Sequence, residues 1–588
     1  MIKVRVKVKT LIKIIIGILF FIIFIVPSIS MELGNHYINK YRMNKAEKFY
    51  DYYIKYPFGL RKDEALYKRS KCLMNNYIRY FIFLDQKQGG SVIDKDAVSK
   101  VVEINKRIIE DYPKSKYYSN AYRNILDTYI YSSNSKELKK WIAWGKEHDN
   151  EEIKRISILY DGYVYFVNRK YDEAERILTD YTMGIRDLDY IYYFLKGHIA
   201  FAREDFEKVE GYYKEAQDIR WGTDFSFFGT PVPYDRLYWL SELKFFSGQN
   251  RIKGRVTVDG VGIPFIEVYI QYTYEGISFP YNNFVAITDE NGYFETIGIK
   301  DGEYNIGIGI GYPLLFDKVY LDKNIRSIKV DGDMEFNFEF TTPMRIISPK
   351  PGEIVEDNKF IVEWEEVEGA DYYIVNSVAF ENPEDKRNNI MTFWIKDENR
   401  EYEIRDTKAV FDLDILNNEE SLLGKILYSG DKLINPYFII GYFHRGMEIP
   451  IIVNAYDRNG NKLNSSIPLA TYYENVPSIK IEYGDFTYGE KLILDEKYEE
   501  AISYYENLLM EDNNNIEALR YLSRIYMVNW DEGKKDIRKS VDYAIKLYDL
   551  TGETDSLKAL LFHIRFEERE QYKDLVEMIN NILSKEDS

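Results

Sequence analysis

Gly162 opens a spacing that the chain repeats. Tyr165, Ala174, Leu178 and Tyr181 follow it at three, twelve, sixteen and nineteen residues, and 35 residues later Gly197 begins the same series with Ala200, Val209, Tyr213 and Ala216. Self-similarity at this period comes from a unit of two antiparallel helices stacked on its neighbours. The glycine lets the paired helices approach, and the large residues fill the space around it. Near the C-terminus Gly489 leads Leu492, Ala501, Tyr505 and Leu508 at the same offsets, and Ser523 starts another unit 34 residues on. There the matching alanine is Ala544, 21 residues on instead of 12, which implies a nine-residue insertion between its helices. Toward the N-terminus the spacing is looser, with Tyr56-Pro57 and Tyr112-Pro113 between helical stretches. Proline suits those places because it cannot continue a helix.

These segments resemble the tetratricopeptide repeat over 479–588, and over 31–249 they resemble the divergent repeats that bacterial envelope proteins of the same superfamily carry. The resemblance implies stacked helix pairs whose concave face holds an extended peptide or a partner's helix. Polar or aromatic positions on the first helix of a repeat, such as Tyr163, His198 and Arg520, are the candidate groove residues. Because the pattern resumes only after residues 250–478, two separate helical lobes are expected.

At Arg251 the period changes. IKGRVTVDGVGIPFIEVYIQY alternates apolar and polar residues, broken at Asp259-Gly260 and Pro264, as short antiparallel strands do. The stretch from Thr288 to Tyr304 concentrates acids (Asp289, Glu290, Glu295, Asp301, Glu303) around Gly292, Gly298 and Gly302. A calcium loop needs more oxygen ligands at alternating positions and a later bidentate glutamate, a pattern missing here. Asn291-Gly292 and Asp301-Gly302 instead suit tight hairpin turns. Gly254, Gly260, Pro264, Asp289, Gly292, Phe294, Gly302 and Tyr304 together resemble the carboxypeptidase regulatory-like domain. That resemblance implies a transthyretin-like β-sandwich over 250–342, a spacer or contact module without catalysis.

A second β segment spans 343–478. Trp364 lies on one strand, and Tyr373 enters the next after Gly369-Ala370-Asp371. The pattern resembles a fibronectin type III-like sandwich, in which an early Trp packs across the two sheets. Its length calls for extra strands or an insertion. NPEDKRNN reads as a loop, while YFIIGYF and IPIIVNAYDRNGNKL read as strands, the last with an Asn459-Gly460 turn. The expected architecture is therefore multidomain α plus β, with helical-repeat lobes at both ends flanking two antiparallel sandwiches.

Residues 1–30 carry Lys3, Arg5, Lys7, Lys9 and Lys13 with no acid, followed by the apolar run Ile14 to Val26. A basic flank before an apolar run sends the following chain across a membrane. Residues 11–29 serve either as a single-pass anchor or as a cleaved signal peptide, since Ser28 and Ser30 are small at suitable spacing. Either way, residues 31–588 are expected outside the cytoplasm. The single cysteine, Cys72, offers no intramolecular disulfide and reads as a small buried hydrophobe. The net charge is −18 overall and therefore −23 beyond residue 30. A surface of that sign repels phosphate backbones, so nucleic acid is not an expected partner.

No catalytic constellation is legible. His36, His148, His198, His444 and His563 are scattered. His148 and Glu151 have zinc-ligand spacing, but no third histidine follows at the distance a metallocarboxypeptidase needs. Gly307 to Tyr312, GIGIGY, reads as a strand and lacks the helix start of a dinucleotide loop. Neither cofactor nor metal is expected. What remains is a non-catalytic scaffold that is tethered to the membrane, faces the envelope and binds a protein. Envelope polysaccharide binding is the alternative, with Trp221 in the aromatic segment RWGTDFSFFGTPVPYDRLYW as the candidate sugar-stacking residue.

Overall fold

In the computed structural model the described residues are 16, 20, 25–40, 42–57, 59–77, 79–83, 96–220, 248–274, 277–311, 314, 317–321, 328–380, 390–418, 436–468, 476–531, 534–567 and 571–584. Trp221, the loop read into NPEDKRNN and most of the 11–29 segment lie outside them. Among the described residues no helix is long and apolar enough to cross a membrane. The protein is a multidomain α plus β chain that divides into two compact units, Met1–Thr342 and Pro343–Ser588.

The first unit begins with ten helices in antiparallel succession among the described residues: α1 (Val26–Asn39), α2 (Met43–Lys55), α3 (Lys62–Tyr77), α4 (Ala97–Asp111), α5 (Tyr118–Tyr131), α6 (Ser135–Lys146), α7 (Glu151–Val167), α8 (Tyr171–Leu178), α9 (Arg186–Ala202) and α10 (Phe206–Arg220). Tyr56-Pro57 and Tyr112-Pro113 fall in the connections after α2 and α4. The repeat glycines sit where neighbouring helices touch: a β-carbon on Gly162 would lie 2.9 Å from Leu178, and one on Gly197 would lie 2.7 Å from Tyr213. Gly34 and Tyr50 make the same contact at 2.6 Å. Gly34 leads Tyr37, Ala46, Tyr50 and Tyr53 at the offsets found after Gly162, so the regular spacing also occurs in the N-terminal stretch where the sequence reading found a looser one.

Seven residues after Gly162 and Gly197, at Arg169 and Glu204, the chain turns between helices through a left-handed backbone conformation, with φ of 57° and 60°. Glycine favours that region because it has no β-carbon. Here the position carries long charged side chains instead, and both reach the neighbouring sandwich.

Residues 250–342 form that sandwich: β2 (Asn250–Val258), β3 (Val261–Gly262), β4 (Glu267–Tyr274), β5 (Ile277–Ile287), β6 (Tyr293–Ile299), β7 (Gly302–Gly311), β8 (Val319–Tyr320), β9 (Ile328–Val330), β10 (Met334–Glu335) and β11 (Phe338–Thr341). Ile252, Val256, Val268, Ile270, Phe294, Ile306, Ile308 and Phe338 are buried within it. Asp259-Gly260 closes a hairpin between β2 and β3, with φ of 49° and 76°.

Two expectations change here. β5 pairs with β4, whereas β6 pairs with β2, and β7 belongs to the sheet of β4 and β5. Asn291-Gly292 and Asp301-Gly302 therefore carry the chain from one sheet to the other rather than closing hairpins. Turn residues encode a reversal of direction, and face-to-face and edge-to-edge strands need the same reversal. The second change is that the helical region is not wholly helical: β1 (Arg79–Phe83) pairs antiparallel with β7, from Arg79 opposite Gly311 to Phe83 opposite Gly307. A backbone edge more than 220 residues away decides that conformation.

In the second unit a three-stranded sheet contains Lys359–Trp364, and a six-stranded sheet contains Tyr372–Phe380 and Glu448–Tyr456. Trp364, 1% exposed, meets Tyr373 from the opposite sheet at a ring-centroid distance of 5.3 Å. YFIIGYF is not a strand: Tyr437–Ile440 is a single helical turn ended by Gly441 at φ 102°. Ile439, Ile440, Tyr442 and Phe443 are all buried, and a continuous apolar run reads alike for a buried strand and a buried turn.

Three helix pairs follow, from Tyr488–Leu494 to Lys573–Leu583. Gly489 abuts Tyr505, and the segment between the second pair's helices runs from 528 to 536. One hydrophobic core extends from the sandwich into these helices, linking Trp364, Phe411 and Val453 with Ile493, Tyr505, Leu522 and Leu560. Arg524, 1% exposed, ties the two together: Nη1 donates to the Ile439 carbonyl at 2.9 Å and Nη2 to Asn418 Oδ1 at 2.6 Å.

Candidate functional site

The acidic turn at 288–295 is where the first unit's sandwich grips its helices. Asp289 shapes the turn, its Oδ1 accepting from the Asn291 amide at 2.8 Å and the Tyr293 amide at 3.0 Å. Buried Thr288 anchors the base, accepting from the Ile266 amide and donating to the Ile263 carbonyl. From this base the side chains face three successive helix pairs. Glu290 pairs with Lys139 at the start of α6, and its amide donates to Asn168 Oδ1 at 3.1 Å. Asp289 lies 3.4 Å from Arg169. Arg251 of β2 reaches Glu204 at 2.9 Å and Glu295 at 3.4 Å. Each exposed pair is worth little alone, and together they join the helices to one sandwich at several points.

Between this seam and the helices lies a cleft of about 110 Å³, lined on the helical side by Phe166, Tyr171, His198 and Phe201 and on the sandwich side by Ala286, Ile287, Thr296 and Ile297. Arg169, Arg251 and Glu295 also line it. His198 is 5% exposed and shares a hydrogen bond of 2.7 Å with Tyr213 through Nδ1. Its ring lies against Phe166 at 5.9 Å and edge-on to Phe194 at 4.6 Å. The lining offers aromatic rings and planar hydrogen-bonding groups, with no nucleophile activated by a base among the described lining residues.

The sequence-proposed residues separate. His198 joins the cleft. Tyr163 does not face an open groove: it is 6% exposed and stacks on Phe265 of the sandwich at 6.2 Å, and burial raises its phenol pKa well above the ordinary value. Arg520 belongs to the second unit, where it pairs with Glu553 at 2.8 Å. His148 accepts from the Asn150 amide through Nδ1 at 3.0 Å, and its Nε2 meets the Tyr118 hydroxyl at 3.0 Å, so both ring nitrogens are engaged. Among the described residues, no group of three metal-ligating side chains comes together. Sequence reasoning missed Phe166, Phe201, Arg251 and Glu295. Arg169 and Glu204 had one available signal, their equal offset of seven from the repeat glycines.

No protein-family model matches the chain, and no curated protein does. Among solved structures, a DUF3823 family protein from Parabacteroides merdae aligns at 14% identity over 40% of this chain and 99% of its own, with a TM-score of 0.13. A proposed carbohydrate-binding protein from Bacteroides uniformis aligns at 10% identity over 38% and 100%, with a TM-score of 0.15. A β-1,2-glucanase from Parabacteroides distasonis aligns at 10% identity over 55% and 46%, with a TM-score of 0.11. Similarity at this level leaves the functional argument to the chain's own residues.

Proposed function

We propose that this chain is a non-catalytic scaffold of the cell envelope, tethered or exported through its N-terminal segment, whose tetratricopeptide-type helical lobes hold a protein partner. The observation that carries the reading is the seating of the first lobe: three successive helix pairs, through Lys139 on α6, Asn168-Arg169 after α7 and Glu204 after α9, are fastened to one sandwich. A lobe held at fixed curvature suits binding that must not reorganise the receptor, because ordering is then settled before the partner arrives. The carboxypeptidase regulatory-like and fibronectin type III-like sandwiches act in this reading as rigid platforms.

Capture on envelope material, half of it digested with protease beforehand, tests the reading. Retention that disappears on digestion supports a protein partner, and retention that survives digestion removes it. Glycan binding is the second reading, and one observation favours it: the aromatic-walled cleft beside the seam.

A further inference from the structure

We propose that the cleft between the α7–α9 turns and the first sandwich takes one neutral pyranose ring of a glycan. This gives chemical content to the second reading of the function and does not depend on the first.

Size sets the first limit. About 110 Å³ admits a single ring-sized group and excludes a partner helix, whose diameter is ~10 Å with side chains. Charge sets the second. Two guanidiniums (Arg169, Arg251) and one carboxylate (Glu295) line the cleft, and they are already ion-paired, Arg169 to Asp289 and Arg251 to Glu204 and Glu295. A ligand anion meets the carboxylates and a chain of net charge −18, while a ligand cation meets both guanidiniums. A neutral molecule pays neither penalty.

The surfaces then favour a sugar over a plain hydrocarbon. Phe166, Phe201 and Tyr171 present ring faces and edges to the C–H face of a pyranose. In the same lining Arg251 Nη1 and Glu295 Oε1 lie 3.4 Å apart. A planar donor fork beside a planar acceptor matches two adjacent hydroxyls, each of which both donates and accepts. A hydrocarbon would use neither the remaining donors of Arg251 nor the remaining lone pairs of Glu295, which hydroxyls can engage.

The test titrates the full chain, in a detergent that is not a glycoside, with the methyl pyranosides of glucose, galactose, mannose and N-acetylglucosamine. Glucuronate and glucosamine serve as charged controls, and saturation-transfer NMR is the readout. At least one neutral pyranoside should receive saturation, and the charged sugars less. Glu295→Gln and Arg251→Lys should each weaken binding about tenfold, or ~1.4 kcal/mol, and alter the preference between epimers while leaving the unfolding midpoint in place. A merely structural role would move the midpoint and not the preference. No transfer to any neutral pyranoside, or transfer that both variants leave unchanged, overturns the proposal. Binding of a peptide aromatic side chain in its place would do the same. Protease-sensitive capture is scored separately, so the protein-partner reading can stand or fall without this one.

Discussion

Tyr50 occupies the space that a side chain at Gly34 would need, its ring 2.6 Å from where a β-carbon would sit, and Tyr213 does the same to Gly197 at 2.7 Å. Alanine at either glycine gains roughly 1 kcal/mol of helix propensity but drives a methyl group into a buried ring. Both rings are buried, at 0% and 3% exposure. Gly197→Ala is expected to be destabilising, and Gly197→Val clearly so, by about 1–3 kcal/mol in urea unfolding. A neutral Gly197→Val would show that the helix pair can open.

The conformation of the inter-helix turns predicts the opposite sign. Glu496 holds φ 60° seven residues after Gly489 and is exposed. Glu496→Gly relieves the crowding of a β-carbon in the left-handed region and should raise stability by up to about 1 kcal/mol, visible as a higher Tm. A lower Tm would mean that its side chain holds the turn.

Asp127 gives the first lobe a pH dependence. Full burial, opposed by Arg123 at 4.0 Å and a hydrogen bond from Tyr160, pushes its carboxyl from the ordinary 3.8 up to about 7. The folded chain then keeps a proton that the unfolded chain releases. This contribution is fully present below pH 3.8 and is lost as pH rises through 7. Unfolding at pH 5 and pH 8 should show the lobe more stable at pH 5, and Asp127→Asn should flatten that difference. An unchanged slope in the variant would place the proton elsewhere.

In the second unit Arg524 is buried between helix and sandwich, and burial lowers its pKa from the ordinary guanidinium value to about 10. Arg524→Ala strips hydrogen bonds from the Ile439 carbonyl and Asn418 and leaves a cavity, for an expected loss of about 3–5 kcal/mol. Arg524→Met fills more of the space and should lose less. Equal losses would show that the hydrogen bonds outweigh the packing.

At the acidic turn the two neighbouring carboxylates should differ in effect. Glu290→Ala removes exposed pairs only, for less than about 1 kcal/mol. Asp289→Ala also leaves the Asn291 and Tyr293 amides without their acceptor, adding about 1–3 kcal/mol. Double-mutant cycles with Arg169→Ala would separate the two contributions. Equal effects at 289 and 290 would deny Asp289 its role within the turn.

The sequence by itself determined what depends on neighbours close in the chain. The offset from Gly162 to Leu178 and from Gly197 to Tyr213 places helix pairs, because one helix and its return are adjacent in sequence and in space. The same holds for prolines 57 and 113 between helices and for the turn at Asp259-Gly260. The placing of Trp364 and Tyr373 on successive strands was legible too, since eight residues and a glycine turn separate them.

Tertiary structure decided the rest, where the deciding partner lies far along the chain. Whether Asn291-Gly292 joins two strands of one sheet or crosses between sheets depends on β2 and β4, which compete for β5 and β6. Arg79–Phe83 extends because β7 offers an open edge. The cleft exists only where two helix pairs meet sandwich residues more than 80 positions later. Periodicity and turn residues report local geometry, whereas burial and backbone pairing are settled by whichever distant surface satisfies them best.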